Sequence, residues 1–396
     1  MITRLGRSAP RILDVDRIED FERRAAGAKA MRGWHLYGLD LSGQEATLAR
    51  LDPAGAVLVD CLLSAAAAAD LRARGAYVVH DGVGSAPVLA DRSRLYTPQE
   101  LYAGLGEGPY EDVPDARIYA WARQHLGVSG EAVTDVELSQ DAARLAALHD
   151  HAIATALHAA VSSGPLAHFP LVGVMGGHGS QRGSAGYVEA AHLGAALVRS
   201  GARVATGGGP GAMEAANLGG YLAGVPGMDE AQMNAEIAQL AAVPGPVPDP
   251  GAWARGAFEV LARHPGGAEG LGIPTWFYGH EPPNVFATHL AKYFSNAQRE
   301  SVLLVVTGGG TVVMPGAAGT VQEIFQEACE GYYGAPEKVA PMVLWGTEYW
   351  TKKLPAWPLL LALSKGSPLE GKVHLVDSVP QALAALGLTD PQGVNA

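Results

Sequence analysis

The apolar positions change rhythm along the chain. From about residue 170 onward, short continuous runs alternate with stretches of helical spacing. Leu171 to Met175 is an apolar run that ends in Gly176-Gly177-His178-Gly179. Tyr187, Ala191, Gly194 and Val198 then recur at the three- and four-residue intervals of one helix face, and Gly201 stops that helix. Arg203 to Thr206 reads as the next strand, followed by GGGPGAMEAAN and another helix, which makes a βαβ unit. Further strands are expected near Leu271-Gly272-Ile273, at Val312 to Met314, at Ala340 to Trp345 and at Val373 to Val376, with a helix from about Asn284. The predicted fold is α/β: a doubly wound Rossmann-like parallel sheet with helices on both faces, over residues 166–390. A helical insertion at about 228–268 surrounds the breaker run from Val243 to Pro250.

The first part of the chain is less patterned. Residues 1–130 read as an N-terminal mixed α/β region of unknown role, with short runs such as Ala56 to Val59 and Ala76 to Val79 and no cluster of chemically active side chains. A long connecting helix is expected over 131–165. Thr134 and Glu137 have capping-box spacing there, and Leu138, Leu145 and Leu148 form an apolar face. His149 and His151, two apart on that helix, point to nearly opposite sides and cannot chelate one ion together.

Composition narrows the classes. Of the 396 residues only 17% are Asp, Glu, Lys or Arg, against roughly 25% in an average soluble protein. So small a charged surface implies a large interior or a subunit interface, and a homo-oligomer, at least a dimer, is expected. The net charge of −12 argues against a nucleic-acid polymer as partner, because phosphate backbones are gripped by clustered Lys and Arg. Cys61 and Cys329 are too few for a disulfide framework or a Cys-rich zinc site. With no signal-peptide core at the N-terminus and no run near the roughly 18 apolar residues of a membrane span, a cytoplasmic location without membrane contact is expected.

Candidate chemistry sits in three glycine loops at the carboxyl ends of predicted strands: Gly176 to Gly179, Gly207 to Gly211, and Pro315 to Thr320. Glycine lets the backbone approach a ligand, and the helix start behind each loop offers free N–H groups and a positive dipole end. A nucleotide-sized anion is the expected guest. No Gly-x-x-x-x-Gly-Lys-[Ser/Thr] run exists, so P-loop phosphoryl transfer is disfavoured. A dinucleotide dehydrogenase would carry a carboxylate at the end of the second strand, where this chain has Thr206-Gly207-Gly208-Gly209.

Thr320 and Glu323 also have the spacing of a capping box, so helix capping and a site role both fit them. Glu214 falls in the first turn of its helix, where the dipole favours a carboxylate whatever its function. Trp276, Phe277 and Tyr278 suit either base stacking or the core.

With these residues in view, the chain resembles the LOG family, Rossmann-type phosphoribohydrolases formerly labelled lysine decarboxylase-like. The motif Pro-Gly-Gly-x-Gly-Thr-x-x-Glu is matched by Pro315 to Glu323, and the earlier glycine-rich loop by Gly207 to Ala212. The likeness is closer to the bacterial nucleotide 5′-monophosphate nucleosidase branch, through the GGH after the first strand, GPGAMEA at Gly209 to Ala215, and EPPN at Glu281 to Asn284.

The resemblance implies hydrolysis of the N-glycosidic bond of nucleoside 5′-monophosphates to free base and ribose 5-phosphate, without metal or cofactor. It implies Arg299 and Glu323 as catalytic residues. Substrate and phosphate contacts are expected from Gly176, Gly177, His178, Gly207, Gly208, Gly209, Gly211, Met213, Glu214, Glu281, Asn284, Gly316, Gly319 and Thr320. It also extends the Arg299 helix through Val302 to Val306, despite the strand-like composition of that run. Ala317 replaces the second glycine of the motif, and its Cβ is expected to narrow the approach to phosphate or restrict φ. The rival reading is therefore a catalytically silent nucleotide-binding or sensing protein of the same fold. A pyridoxal-phosphate decarboxylase is weaker still, because no lysine lies in a loop tied to a cofactor.

Overall fold

A computed structural model describes residues 13–59, 61–79, 86–88, 92–127, 140–277 and 281–389. Thr134, Glu137, Leu138 and Tyr278 lie outside the described residues. The chain divides into two compact units: residues 1–91 with 124–127 and 134–149, and residues 92–123 with 128–133 and 150–396.

The first unit is a four-stranded parallel sheet in which β1 (Leu13–Val15), β2 (Trp34–Tyr37), β3 (Val57–Val59) and β4 (Tyr77–Val79) are neighbours in chain order. The helices α1 (Ile18–Ala25), α2 (Glu45–Arg50) and α3 (Ala65–Ala73) connect them. Gly33, Gly55 and Gly75 precede successive strands, all with positive φ (78°, 79° and 91°). They stack in a ladder, with Gly33 N–H donating to Gly55 O at 3.1 Å and Gly55 N–H to Gly75 O at 3.0 Å. Leu36, Leu58 and Val78 pack inward against Phe21, Leu48 and Leu71. Sequential neighbours at a period of roughly 20 residues make this a short solenoid, a repeat that the apolar runs alone do not announce.

In chain order, β4 is followed by α4 (Pro98–Leu101), α5 (Pro114–Leu126) and α6 (Gln140–Ser162). The second unit is built on seven parallel strands, β5 (Leu171–Met175), β6 (Arg203–Thr206), β7 (Leu271–Gly272), β8 (His289–Leu290), β9 (Thr311–Val313), β10 (Met342–Trp345) and β11 (Val373–Val376). Their spatial order is β11-β10-β9-β5-β6-β7-β8. The chain runs outward from β5 through β6 to β8, then returns to the other side of β5 with β9. That places the topological switch point of a doubly wound sheet between β5 and β9, where the loops leaving the two strands diverge. Every residue of β5 is buried, as expected of a central parallel strand covered on both faces.

Helices α7 (Ala185–Arg199) and α8 (Ala212–Ala223) cover one face in close contact. A Cβ on Gly194 would strike the carbonyl of Ala216, and one on Gly219 the carbonyl of Ala191. The Ala- and Gly-rich composition of these helices follows from that approach. The insertion consists of α9 (Glu230–Leu240) and α10 (Pro250–Arg263), each started by an aspartate cap. Helix α11 (Asn296–Val306) includes Val302 to Val306, as the family likeness implies.

The helix expected from about Asn284 is absent. Asn284 is fully buried in a loop and its polar atoms bind other loops; the helix starts only after Ser295, whose hydroxyl accepts the Gln298 N–H. The helices α12 (Ala318–Tyr333), α13 (Ala356–Ser364) and α14 (Val379–Ala385) complete the unit, with a π-helical turn at Tyr349–Lys353. Among the described residues no helix is long and apolar enough to cross a membrane.

Candidate functional site

The three glycine loops meet above the switch point. Gly177 N–H donates to Pro315 O at 3.1 Å, and Gly177 O accepts the Ala212 N–H at 3.3 Å, so the loop after β5 is tied to the loops after both β9 and β6. Side chains would block this meeting. A Cβ on Gly176 would come within 2.8 Å of Met314, and one on Gly211, where φ is +75°, within 2.5 Å of Gly177 O.

The loop after β6 is held from behind by a buried polar network. Thr206 Oγ1 donates to Asn217 Oδ1 at 2.7 Å and accepts the Gly208 N–H at 3.0 Å. Asn284 N–H donates to Gly208 O at 2.8 Å, and Asn284 Nδ2 to Gly209 O at 3.2 Å. Asn284 therefore shapes the loop from its buried side. Each of these groups exchanges water for a partner inside the protein, which fixes the backbone of Gly207 to Gly209 without a side chain entering the crevice.

Arg299, in the first turn of α11, reaches across the carboxyl ends of β6 and β7. Its Nε donates to Ile273 O at 2.8 Å and its Nη2 lies 3.4 Å from Gly207 O. The absence of a Cβ on Gly207 makes room for that guanidinium, because a Cβ there would collide with Nη2. The third nitrogen, Nη1, lies 3.4 Å from Glu323 Oε1, with the two side chains 13% and 17% exposed. Burial pushes the Glu323 carboxyl above its ordinary 4.5, while Arg299 pulls it down and the charges of Glu300 and Glu281 push it up again.

One turn further along α12, Glu327 has its two oxygens 2.6 and 2.8 Å from Thr311 Oγ1. Burial raises Glu327 to about 8, against the opposing hydrogen bond from Thr311.

The expected capping box at Thr320 and Glu323 is not formed. Helix α12 begins at Ala318, with Ala317 as N-cap and no side chain capping it. Thr320 is already inside the first turn, and Glu323 lies in the second turn instead of the first. The cause is local: Thr320 packs beneath Gly316, where a Cβ would collide with its hydroxyl, and Val321 N–H donates to Ala317 O at 3.0 Å. Ala317 has φ of −107° and ψ of −146°, outside the left-handed region, so the expected restriction of φ does not arise. Gly319 has open space where a Cβ would be. Tyr349, in the π-helical turn, donates its hydroxyl to Gly316 O at 2.6 Å and braces this loop from the far side. Nothing in the sequence reading singles out Tyr349.

At the rim, His178 Nδ1 lies 3.3 Å from Glu281 Oε1; both side chains are exposed, at 72% and 43%. The Glu281 carboxylate stands over Gly209, where a Cβ would meet its Oε2 at 3.2 Å, and Met213 packs against Gly207 and Gly209. The structure thus brings Gly176, Gly177, His178, Gly207, Gly208, Gly209, Gly211, Met213, Glu281, Arg299, Gly316, Thr320 and Glu323 together at the carboxyl ends of β5, β6 and β9.

Glu214 turns elsewhere. Its Oε1 accepts from Arg182 Nε at 3.0 Å and Nη2 at 2.5 Å, both side chains are 1% exposed, and Arg182 Nη2 also donates to Trp253 O. Trp276 belongs to the core: it is 1% exposed, packs on Tyr96 and Phe294, and donates its Nε1 to Asp115. Phe277 is 41% exposed. Among the described residues no group of three His, Cys, Asp or Glu side chains is placed to hold a metal ion.

In sequence the chain matches no protein-family model and no curated protein. Solved structures with a similar arrangement include the molybdenum cofactor binding protein from the phototrophic bacterium Rippkaea orientalis, with a TM-score of 0.34 and 16% identity over 55% of this chain and 96% of that one. The Moco carrier protein from Chlamydomonas reinhardtii aligns over the same shares, with a TM-score of 0.33 and 19% identity. These likenesses are of fold.

Proposed function

We propose that the crevice hydrolyses the N-glycosidic bond of a nucleoside 5′-monophosphate. One observation carries the reading: three glycine loops converge on one point, and the Arg299–Glu323 pair, 3.4 Å apart, stands beside it. The backbone N–H groups behind the loops and the N-terminus of α12 suit a phosphate dianion. The sugar then extends toward Glu323. Cleavage sends the C1′–N electron pair to the base nitrogen, which takes up a proton, while positive charge builds on C1′ and the ring oxygen. Water supplies the oxygen that bonds to C1′. An ionised Glu323 faces that developing charge and accepts the proton of the attacking water. Arg299, anchored by Ile273 O and Gly207 O, opposes the rise that burial imposes on Glu323 and offers a fixed positive charge to phosphate.

The binding-only reading rested on Ala317. The φ of −107° at that residue removes the restriction of φ but leaves its Cβ at the loop, so binding without turnover stands as the second reading.

The test is incubation with a panel of nucleoside monophosphates, detecting ribose 5-phosphate and free base. Glu323→Gln is expected to lower turnover on the order of 100-fold or more with binding retained. Binding without turnover in the unmodified protein would replace the hydrolase with a nucleotide-binding protein.

A further inference from the structure

Cleavage of the glycosidic bond needs a proton for the departing base, and the acidic and basic groups described above leave one candidate donor. Glu323 takes a proton from water. Arg299 does not give one up, because a guanidinium stays charged. Lys292 is buried and donates its Nζ to Asp115 at 2.6 Å, Glu214 is enclosed with Arg182, and Glu327 meets Thr311. His178 is the one imidazole among the residues gathered at the ends of β5, β6 and β9, and imidazole is the side chain that gains and loses a proton near neutrality.

The backbones that carry His178 and Glu281 are pinned, while their tips stay open. A Cβ on Gly211 would come within 2.7 Å of the His178 carbonyl, so the loop after β5 rests directly on the loop after β6. Glu281 opens the run Glu281-Pro282-Pro283-Asn284, whose last three residues are buried. Tyr102 donates its hydroxyl to Pro283 O at 2.6 Å, and Asn284 N–H donates to Gly208 O at 2.8 Å. His178 Nδ1 and Glu281 Oε1 therefore meet at 3.3 Å from two fixed loops, unlike a surface ion pair between flexible side chains, which contributes little. Glu281 stands over Gly209, and its charge reaches Glu323. With Nδ1–H directed at the carboxylate, Nε2 carries the second proton outward, the arrangement by which a carboxylate orients an imidazole for acid–base work.

On the hydrolase reading given above, on which this step rests, we propose that His178 is the general acid that protonates the leaving base and that Glu281 positions it. As the C1′–N bond breaks, its electron pair passes to the base. The Nε2–H bond breaks with it, its pair stays on the imidazole, and the proton bonds to a base nitrogen. Neutral His178 keeps its Nδ1–H on Glu281, while the water oxygen bonds to C1′ and the water proton goes to Glu323. Exchange with solvent then recharges His178 and discharges Glu323.

The test compares, on the full chain, nucleoside 5′-monophosphates with 4-nitrophenyl β-D-ribofuranoside 5-phosphate, whose nitrophenolate departs without a proton. His178→Gln is expected to lower kcat on the nucleotides on the order of 100-fold or more, and on the nitrophenyl substrate by less than about threefold. Glu281→Gln should show a smaller loss with the same split. Glu323→Gln should slow both substrates, because both need the attacking water. Thermal melts report that each variant is folded. Equal losses on the two substrates, or undiminished nucleotide turnover in His178→Gln, would overturn the acid role and leave the hydrolase standing. An unmodified protein that cleaves neither substrate would overturn the hydrolase, and the acid role with it.

Discussion

Glu323 and Glu327 are one helical turn apart on α12, yet their surroundings give them different tasks. Glu323 has a cation at 3.4 Å; Glu327, among the described residues, has the Thr311 hydroxyl as its hydrogen-bond partner. Burial, reinforced by the charges of Glu330 and Glu323, raises Glu327 to about 8, and it is protonated at neutral pH. The sign of the linkage follows from that direction. Between 4.5 and about 8 the folded protein holds a proton on Glu327 that the unfolded chain releases. Its contribution to stability is therefore complete below 4.5 and is lost as pH rises through the folded value.

For a single site the slope is at most roughly 1.4 kcal/mol per pH unit. Urea midpoints measured from about pH 6 to about pH 9 should fall more steeply for the unmodified protein than for Glu327→Gln, which has no proton to lose. Parallel pH profiles would show that Glu327 ionises normally in the fold.

The elements show which features a single sequence can and cannot display. Glycine loops after apolar runs were legible because a strand end, a tight turn and a helix start are written contiguously, and the three loops fall where the runs predicted them. The capping box at Thr320 and Glu323 was misread because spacing does not reveal where a helix begins. Packing of Thr320 beneath Gly316 starts α12 at Ala318. Glu214 was legible as a first-turn carboxylate, but its partner Arg182 lies across the fold and its backing, Trp253, comes from the insertion.

Glu214 thus ties α8 to the loop ahead of α7. Glu214→Ala would leave Arg182 buried without a counter-charge, and about 3–5 kcal/mol of stability should be lost. The double variant Glu214→Leu with Arg182→Met should recover much of it. Denaturant melts decide the point. Lost nucleotide affinity in a Glu214 variant of unchanged stability would return this residue to the crevice.

At the scale of the whole chain, the pattern of apolar runs suggests a boundary near residue 130, whereas residues 92–123 group with the second unit. The reason is polar and long-range. Asp115 on α5 is fully buried and its Oδ1 accepts from Lys292 Nζ at 2.6 Å and Trp276 Nε1 at 2.9 Å. Tyr102 donates its hydroxyl to Pro283 O at 2.6 Å, just before Asn284, and Tyr96 exchanges backbone hydrogen bonds with Leu290 of β8. No periodicity announces partners more than 150 residues away, so a region without chemical motifs was assigned to the N-terminal part.

Two truncations separate the alternatives. A chain starting at residue 92 keeps Asp115 beside Lys292; one starting at 131 leaves Lys292, 1% exposed, buried and unpaired. Loss of such a partner costs about 3–5 kcal/mol, a large share of the 5–15 kcal/mol that holds a typical fold together. The longer fragment is expected to unfold cooperatively in urea, with fraying confined to the turns of α6 before Asp150, which group with the first unit. The shorter one should aggregate or melt without a cooperative transition. Equal stability of the two would mean that the contacts of Asp115, Tyr102 and Tyr96 decorate the second unit without supporting it.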